Sequence, residues 1–284
     1  MDQPQWGVLH TRNMVSSETN LPATFDSENG ENVRWKVPLG TETNSTPVIT
    51  QGKVLIGTNN GQPRDPRHSR YRGVLLCLDE QTGELIWQLV VPPFEHDKFL
   101  DWRTGGICSA VTVENNRIYL VCNRAQVMCF DLNGQQDGND GPVTNEGRRM
   151  APAGKPTMEV ADIDADILWM YDMVEQSRVH PHDSPYAAVL VVGDCLYVNT
   201  SNGVDKYHRT IPSPDAPSLL VLNKETGKFV AQDGEEIEPQ VFHCTWSSPA
   251  LGVVNGKQRV FFCGGDGICY GCGLSISTEP NRSP

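Results

Sequence analysis

The chain has 284 residues, 38% of them hydrophobic, with 26 glycines and 20 prolines. That length buries one or two cores, and the composition favours many short strands over long helices. Its 23 basic and 35 acidic residues leave a net charge of −12, so there is no basic footprint for nucleic acid or an anionic membrane. No apolar run approaches the roughly 20 residues needed to cross a bilayer, and the opening MDQPQWGVLH lacks the charged-then-apolar layout of a signal peptide.

In chain order, residues 1–32 show no clear period, and the polar tract 11–20 reads as a loop or an N-terminal strap. A repeat begins at Val33. Residues 33–37 alternate as a strand around Trp35, and 45–49 and 53–57 follow as strands joined by Gln51-Gly52. The stretch 73–88, GVLLCLDEQTGELIWQ, then sets two apolar runs on either side of a polar hexamer. This is a hairpin signal, with Gly83 free to take positive φ. Trp35 and Trp87 lie about 50 residues apart, which suits one four-stranded unit. A second unit runs through 109–111, 117–121, 126–131 and 167–171, ending on Trp169; about 30 residues are inserted at 132–166, a segment rich in Gly, Asp and Pro. The third unit runs through 187–191, 195–198, 218–222 and 227–230, where Asn223-Lys224-Glu225-Thr226-Gly227 repeats the turn and the closing aromatic is Phe229 or absent. A fourth starts at 247–250 and 259–262 and fades after Tyr270, leaving 271–284 as an irregular tail. No long segment keeps a 3.6-residue period, which sets aside a helical fold. Repeats in a fixed register outweigh a generic sandwich.

The match Leu78-Asp79-x-x-Thr82-Gly83-x-Leu85-x-Trp87 resembles the repeat of pyrroloquinoline-quinone (PQQ)-like β-propellers, the quinoprotein-type family that includes outer-membrane assembly factor propellers. The resemblance covers about 33–270. It implies an all-β propeller of four-stranded antiparallel blades, with Trp35, Asp79, Thr82, Gly83, Trp87, Trp169, Thr226 and Gly227 as structural blade residues. Three full blades and the start of a fourth make a partial ring, where the family closes seven or eight. A truncated or frameshifted chain would explain this, and unpaired blades would then invite self-association. The family is usually exported, so the resemblance implies a periplasmic or otherwise extracytoplasmic protein.

In a propeller, the loops joining blades and those joining second and third strands share one face. That rule brings Trp102, Arg103, Arg124, His182, Asp183, His243, Trp246 and Asp266 to one rim, a default site for a small-molecule or protein ligand. The resulting expectation is a non-catalytic binding or scaffolding module with no assigned catalytic residue. The alternative is a quinone- and Ca²⁺-dependent alcohol or sugar dehydrogenase, for which PQQ and Ca²⁺ are implied by the resemblance alone. Trp246 and Asp266 could imitate parts of such a site, but the adjacent cysteine pair of the well-known enzymes is missing.

Other constellations are weaker. Asp131, Asn133, Asp137 and Asn139 form oxygen-rich loops that could hold Ca²⁺, with Asp162, Asp164 and Asp166 further on, though the spacing is not that of an EF-hand. Cys269-Tyr270-Gly271-Cys272 lacks the histidine of a haem motif, and with Cys263 it offers three of the four thiolates that a closed zinc site needs. The nine cysteines are an odd number set mostly in apolar segments, such as Cys77, Cys122, Cys129 and Cys195, and read as small buried hydrophobes.

Overall fold

The computed structural model describes residues 2–69, 71–94 and 104–274. Its strands fall into consecutive antiparallel sheets, each built from neighbouring stretches of chain. The first blade is β1 (Val48–Thr50), β2 (Lys53–Asn59), β3 (Gly73–Asp79) and β4 (Leu85–Val91). The second is β5 (Thr112–Glu114), β6 (Arg117–Val121), β7 (Gln126–Asp131) and β8 (Ile167–Asp172), with the short helices α1 (Glu146–Met150) before β8 and α2 (Met173–Ser177) after it. The third is β9 (Leu190–Val192), β10 (Cys195–Asn199), β11 (Leu219–Asn223) and β12 (Phe229–Gln232). Three strands, β13 (Ala250–Val254), β14 (Lys257–Cys263) and β15 (Cys269–Gly273), form the fourth sheet. This is an all-β propeller architecture in a partial ring. Among the described residues no helix is long and apolar enough to cross a membrane.

Period-2 alternation explains the continuous apolar runs, because a blade's middle strands bury both faces. On β6, Ile118 and Leu120 face the first blade, with Leu75, Cys77 and Trp87. Tyr119 and Val121 face the third, with Val191, Leu196 and Leu220. A further layer joins Leu190, Tyr197 and Val221 to Leu251, Val260 and Phe262 of the fourth sheet.

A tryptophan of one blade docks on the turn of the next. Trp87 is fully buried, and its Nε1 donates to Leu132 O at 3.0 Å. Trp169 Nε1 donates to Lys224 O at 2.9 Å. Each indole lies over a glycine in the left-handed region: a Cβ on Gly134 (φ +63) would stand 2.8 Å from Trp87, and one on Gly227 (φ +67) 2.4 Å from Trp169. The turns hold their shape through one side chain. Asp79 Oδ1 accepts from Gln81 N, Thr82 N and Thr82 Oγ1, and Asn223 Oδ1 accepts from Glu225 N, Thr226 N and Thr226 Oγ1.

Two expectations, on residues 33–37 and on the insertion, are corrected, and of the two alternatives for the third blade's closing aromatic the structure shows its absence. Residues 33–37 form no strand; the segment still lays Trp35, Val37 and Leu39 on the outer layer of the first blade, and Trp35 Nε1 donates to Glu80 O at 2.9 Å over Gly83. The third blade has no closing aromatic, because the β-bulge register that pairs Trp87 with Cys77 and Trp169 with Cys129 pairs Ala231 with Val221; Phe229 is 48% exposed. The insertion is more than a loop. Its Gln88–Asp164 bridge extends the edge of β4, and Arg67 clamps both Asp164 and Asp65, so the segment covers an otherwise open edge.

The N-terminal residues cross the innermost strands of all four sheets. Gln3 pairs with Ile49, Val113 N donates to Pro4 O at 2.7 Å, and Leu251 N donates to His10 O at 2.9 Å. Arg12 donates to Val189 O at 2.9 Å and to Pro249 O at 2.6 Å.

Candidate binding site on the axial rim

Where the inner strands begin, the inter-blade segments enclose a cleft of about 500 Å³ on the axis. Its walls include Asn44, Cys108, Tyr186, Trp246 and Ser248, with Trp6 and Arg12 supplied by the N-terminal strap. Arg12 spends its guanidinium on four carbonyls, of Trp6, Ala188, Val189 and Pro249. Burial lowers its pKa to about 10. Tyr186 and Trp246 meet edge-on at 5.5 Å. The Trp246 Nε1 is buried with no acceptor, a donor whose cost is relieved only when something accepts from it.

Beside this cleft lies a histidine cluster. His182 and His243 rings are 4.3 Å apart, His208 is 4.7 Å from each, and His243 is 5.2 Å from Trp246. Three segments meet here because Gly203 has no side chain; a Cβ there would stand 2.5 Å from His243 O and 2.9 Å from the His182 Cβ. Backbone bonds fix the same arrangement: His182 N to Ser201 O at 3.1 Å, Val204 N to His243 O at 2.9 Å. Behind them, the Asn202 carbonyl oxygen accepts from His180 N, and its amide donates to Glu238 at 2.7 Å. Ser218 donates to the other Glu238 oxygen. Burial pushes the Glu238 carboxyl up to about 7, against the pull of those two hydrogen bonds. Cys244 is buried and donates to Ser201 O, and burial raises its thiol pKa.

Of the residues expected on one rim, His182, Asp183, His243 and Trp246 lie together, with the Asp183 carboxylate 3.9 Å from His182 Nε2. Arg124 lies elsewhere. It lines a cleft of about 280 Å³ with Arg148, Arg149 and Met150, and stacks over Phe94. Asp266 is held by its own hairpin, accepting from Ile268 N and from the Tyr270 hydroxyl. Trp102 and Arg103 fall outside the described residues. Reading the sequence missed His208, Tyr186, Arg12 and Trp6. The signal for His208 was the length of the segment between the third unit's second and third strands, which continues past Gly203 through a turn capped by Asp205.

The oxygen-rich loops have structural duties. Asp131 holds the second blade's turn, accepting from Asn133 N and from the Asn116 amide, while Asp137 accepts from Asn133 and Asn139 donates to Glu146. The three-thiolate zinc arrangement fails because β15 alternates: Cys269 pairs with Cys263 on an exposed face, and Cys272 packs toward the core of the third and fourth sheets. All nine cysteines are free thiols, and Cys77, Cys122 and Cys129 are buried.

A quinone site of the dehydrogenase kind needs carboxylates for Ca²⁺. The axial cleft is lined by Asn, Thr, Ser, Cys, Tyr, Trp, Arg and Ala with no Asp or Glu among the described residues, so its lining offers neutral oxygens and none of the carboxylates that such a Ca²⁺ site uses.

The chain is similar to several known structures and to one family model. The chain spans 30% of the length of the quinohemoprotein alcohol dehydrogenase ADHIIG from Pseudomonas putida HK5, which covers 81% of it at 12% identity and a TM-score of 0.44. A europium-containing methanol dehydrogenase matches at 12% identity and a TM-score of 0.41, covering 77% of this chain and 35% of its own. The computationally designed Ika4 protein matches at 12% identity and 0.39, covering 84% of this chain and 96% of its own. No curated protein matches the sequence. A PQQ-repeat family model, described as outer membrane protein assembly factor BamB, matches residues 71–271. The chain therefore belongs to that PQQ-like β-propeller family.

Proposed function

We propose that this chain is a non-catalytic propeller module that binds a protein or small-molecule partner at the axial cleft. The observation that carries this reading is the cleft itself, where segments from all four sheets and the strap present paired aromatics and a buried, unpartnered Trp246 N–H. Aromatic walls with a few unsatisfied polar groups are what a recognition site offers. Residence outside the cytoplasm, in the periplasm, is part of the proposal and is supported by the family description. Exposed Phe229, Val253 and Val254 on the third and fourth sheets support a secondary role in self-association.

The competing reading is a quinone-dependent dehydrogenase, and the two are separable. The protein would be incubated with PQQ and Ca²⁺, and dye-linked oxidation of alcohols and sugars followed. Background rates are expected, and turnover that requires both additions would overturn the non-catalytic assignment.

A further inference from the structure

We propose that His182, His208 and His243 form a binding site for one divalent transition-metal ion of the zinc or copper class. The ligand nitrogens of the three residues lie within 4.8 Å of one another. The Nε2 atoms of His208 and His243 are 2.9 Å apart. A tetrahedral ion with metal–nitrogen bonds of about 2.1 Å wants its donors about 3.4 Å apart, so small side-chain rotations complete the arrangement. His182 Nδ1 is 2.8 Å from Val204 O; donating there fixes the tautomer and directs Nε2 to the cluster, the support that metal-bound imidazoles usually have.

The surroundings sharpen the ion class. Three neutral imidazoles suit zinc, copper or nickel and not calcium or magnesium. Cys244 is not among the donors, since its sulfur donates to Ser201 O at 3.1 Å. Asp183 Oδ2, 3.9 Å from His182 Nε2, is close enough to offset the ion's charge or to orient a water bound to it. His208 stands exposed while His182 is buried, so the ion is reached from solvent and keeps an open position, as three-ligand sites do. Gly203 is what allows the three segments to meet. The site adjoins the axial cleft through the His243–Trp246 contact but does not depend on that cleft being occupied.

The test is equilibrium binding of Zn²⁺, with metal content measured after gel filtration. It uses the full chain carrying Cys263→Ser, Cys269→Ser and Cys272→Ser, so that the thiols near β15 cannot contribute. One ion per chain is expected, and Co²⁺ in its place should show the visible absorption of a tetrahedral nitrogen site. His208→Asn keeps the left-handed backbone (φ +56), which Asn tolerates, and should weaken binding at least about tenfold with an unchanged melting temperature of the metal-free protein. Absence of stoichiometric binding in the cysteine-substituted chain would overturn the proposal. So would equal affinity of the His208→Asn chain.

Discussion

The seams between blades are not built alike. Between the first and second blades, and between the second and third, a buried tryptophan sits on a left-handed glycine and donates to the adjoining turn. Between the third blade and the fourth sheet, Ala231 occupies the tryptophan's register and no indole of the described residues is docked there. Yet the axial end of that third seam gathers His182, His243, Trp246 and Tyr186. The aromatic residue is spent on packing at two seams and on the rim at the other. On the proposed reading of the rim, stability and recognition are divided between different parts of one repeat, as expected where residues at a binding site depart from the local packing rule.

The largest test of that division is truncation of a locked seam. Trp87→Ala removes a side chain with no solvent exposure and should cost about 3–5 kcal/mol in chemical denaturation. A loss below about 1 kcal/mol would mean that the indole does not hold the blades together. The partner half of the lock should be nearly as sensitive. Gly227→Ala forces a left-handed alanine and sets its Cβ 2.4 Å from Trp169, with an expected loss of about 2–4 kcal/mol. If Trp169→Ala relieves that loss in the double variant, the two residues form one unit.

These two seams were legible in the sequence because the turn and the tryptophan both repeat. Asp79-x-x-Thr82-Gly83 and Asn223-x-x-Thr226-Gly227 announce a side-chain-capped turn, and Trp87 and Trp169 recur at the third position of the fourth strand. The second blade's turn, Asp131-Leu132-Asn133-Gly134, was harder to see: it lacks the threonine and opens straight into the insertion, so it read as a cation loop. The rim was half legible. Propeller topology alone places 179–183 beside 242–246, but it does not say that Gly203 closes the gap between them, nor that the turn after it sets His208 against His182 and His243. Arg12 and Trp6 come from a segment with no period at all; their place depends on backbone hydrogen bonds to the first, second and fourth sheets and on Arg12 side-chain bonds to the carbonyls of Ala188 and Val189 beside the third, which no local pattern encodes.

The rim's support gives a smaller, pH-dependent effect. Glu238 has its carboxyl raised by burial to about 7 in the folded chain, against an ordinary glutamate near 4.3 in the unfolded one. The folded state therefore binds the extra proton between those values, and stability falls as pH rises from about 4.3 to 7 and then levels off. Glu238→Gln keeps an acceptor and a neutral side chain beside Ser218 and Asn202, and should raise stability at pH 8 by about 1–2 kcal/mol while flattening the profile. A destabilised variant at pH 8 would show that the charged form is wanted there. The smallest effect belongs to the unlocked seam, where Phe229→Ser should change stability by less than about 0.5 kcal/mol, since the ring is half exposed and docks on no turn.

The central claim is that the axial rim is where the chain meets its partner. A photo-reactive phenylalanine analogue at Asn44, an exposed residue lining the axial cleft, would be compared in living cells with the same probe at Lys257, exposed in the β13–β14 hairpin at the far ends of the strands. The account predicts discrete, reproducible adducts at Asn44 that are lost when Trp246 is changed to Ala, with none at Lys257. Equal labelling at both positions, or adducts at Asn44 indifferent to Trp246, would contradict it.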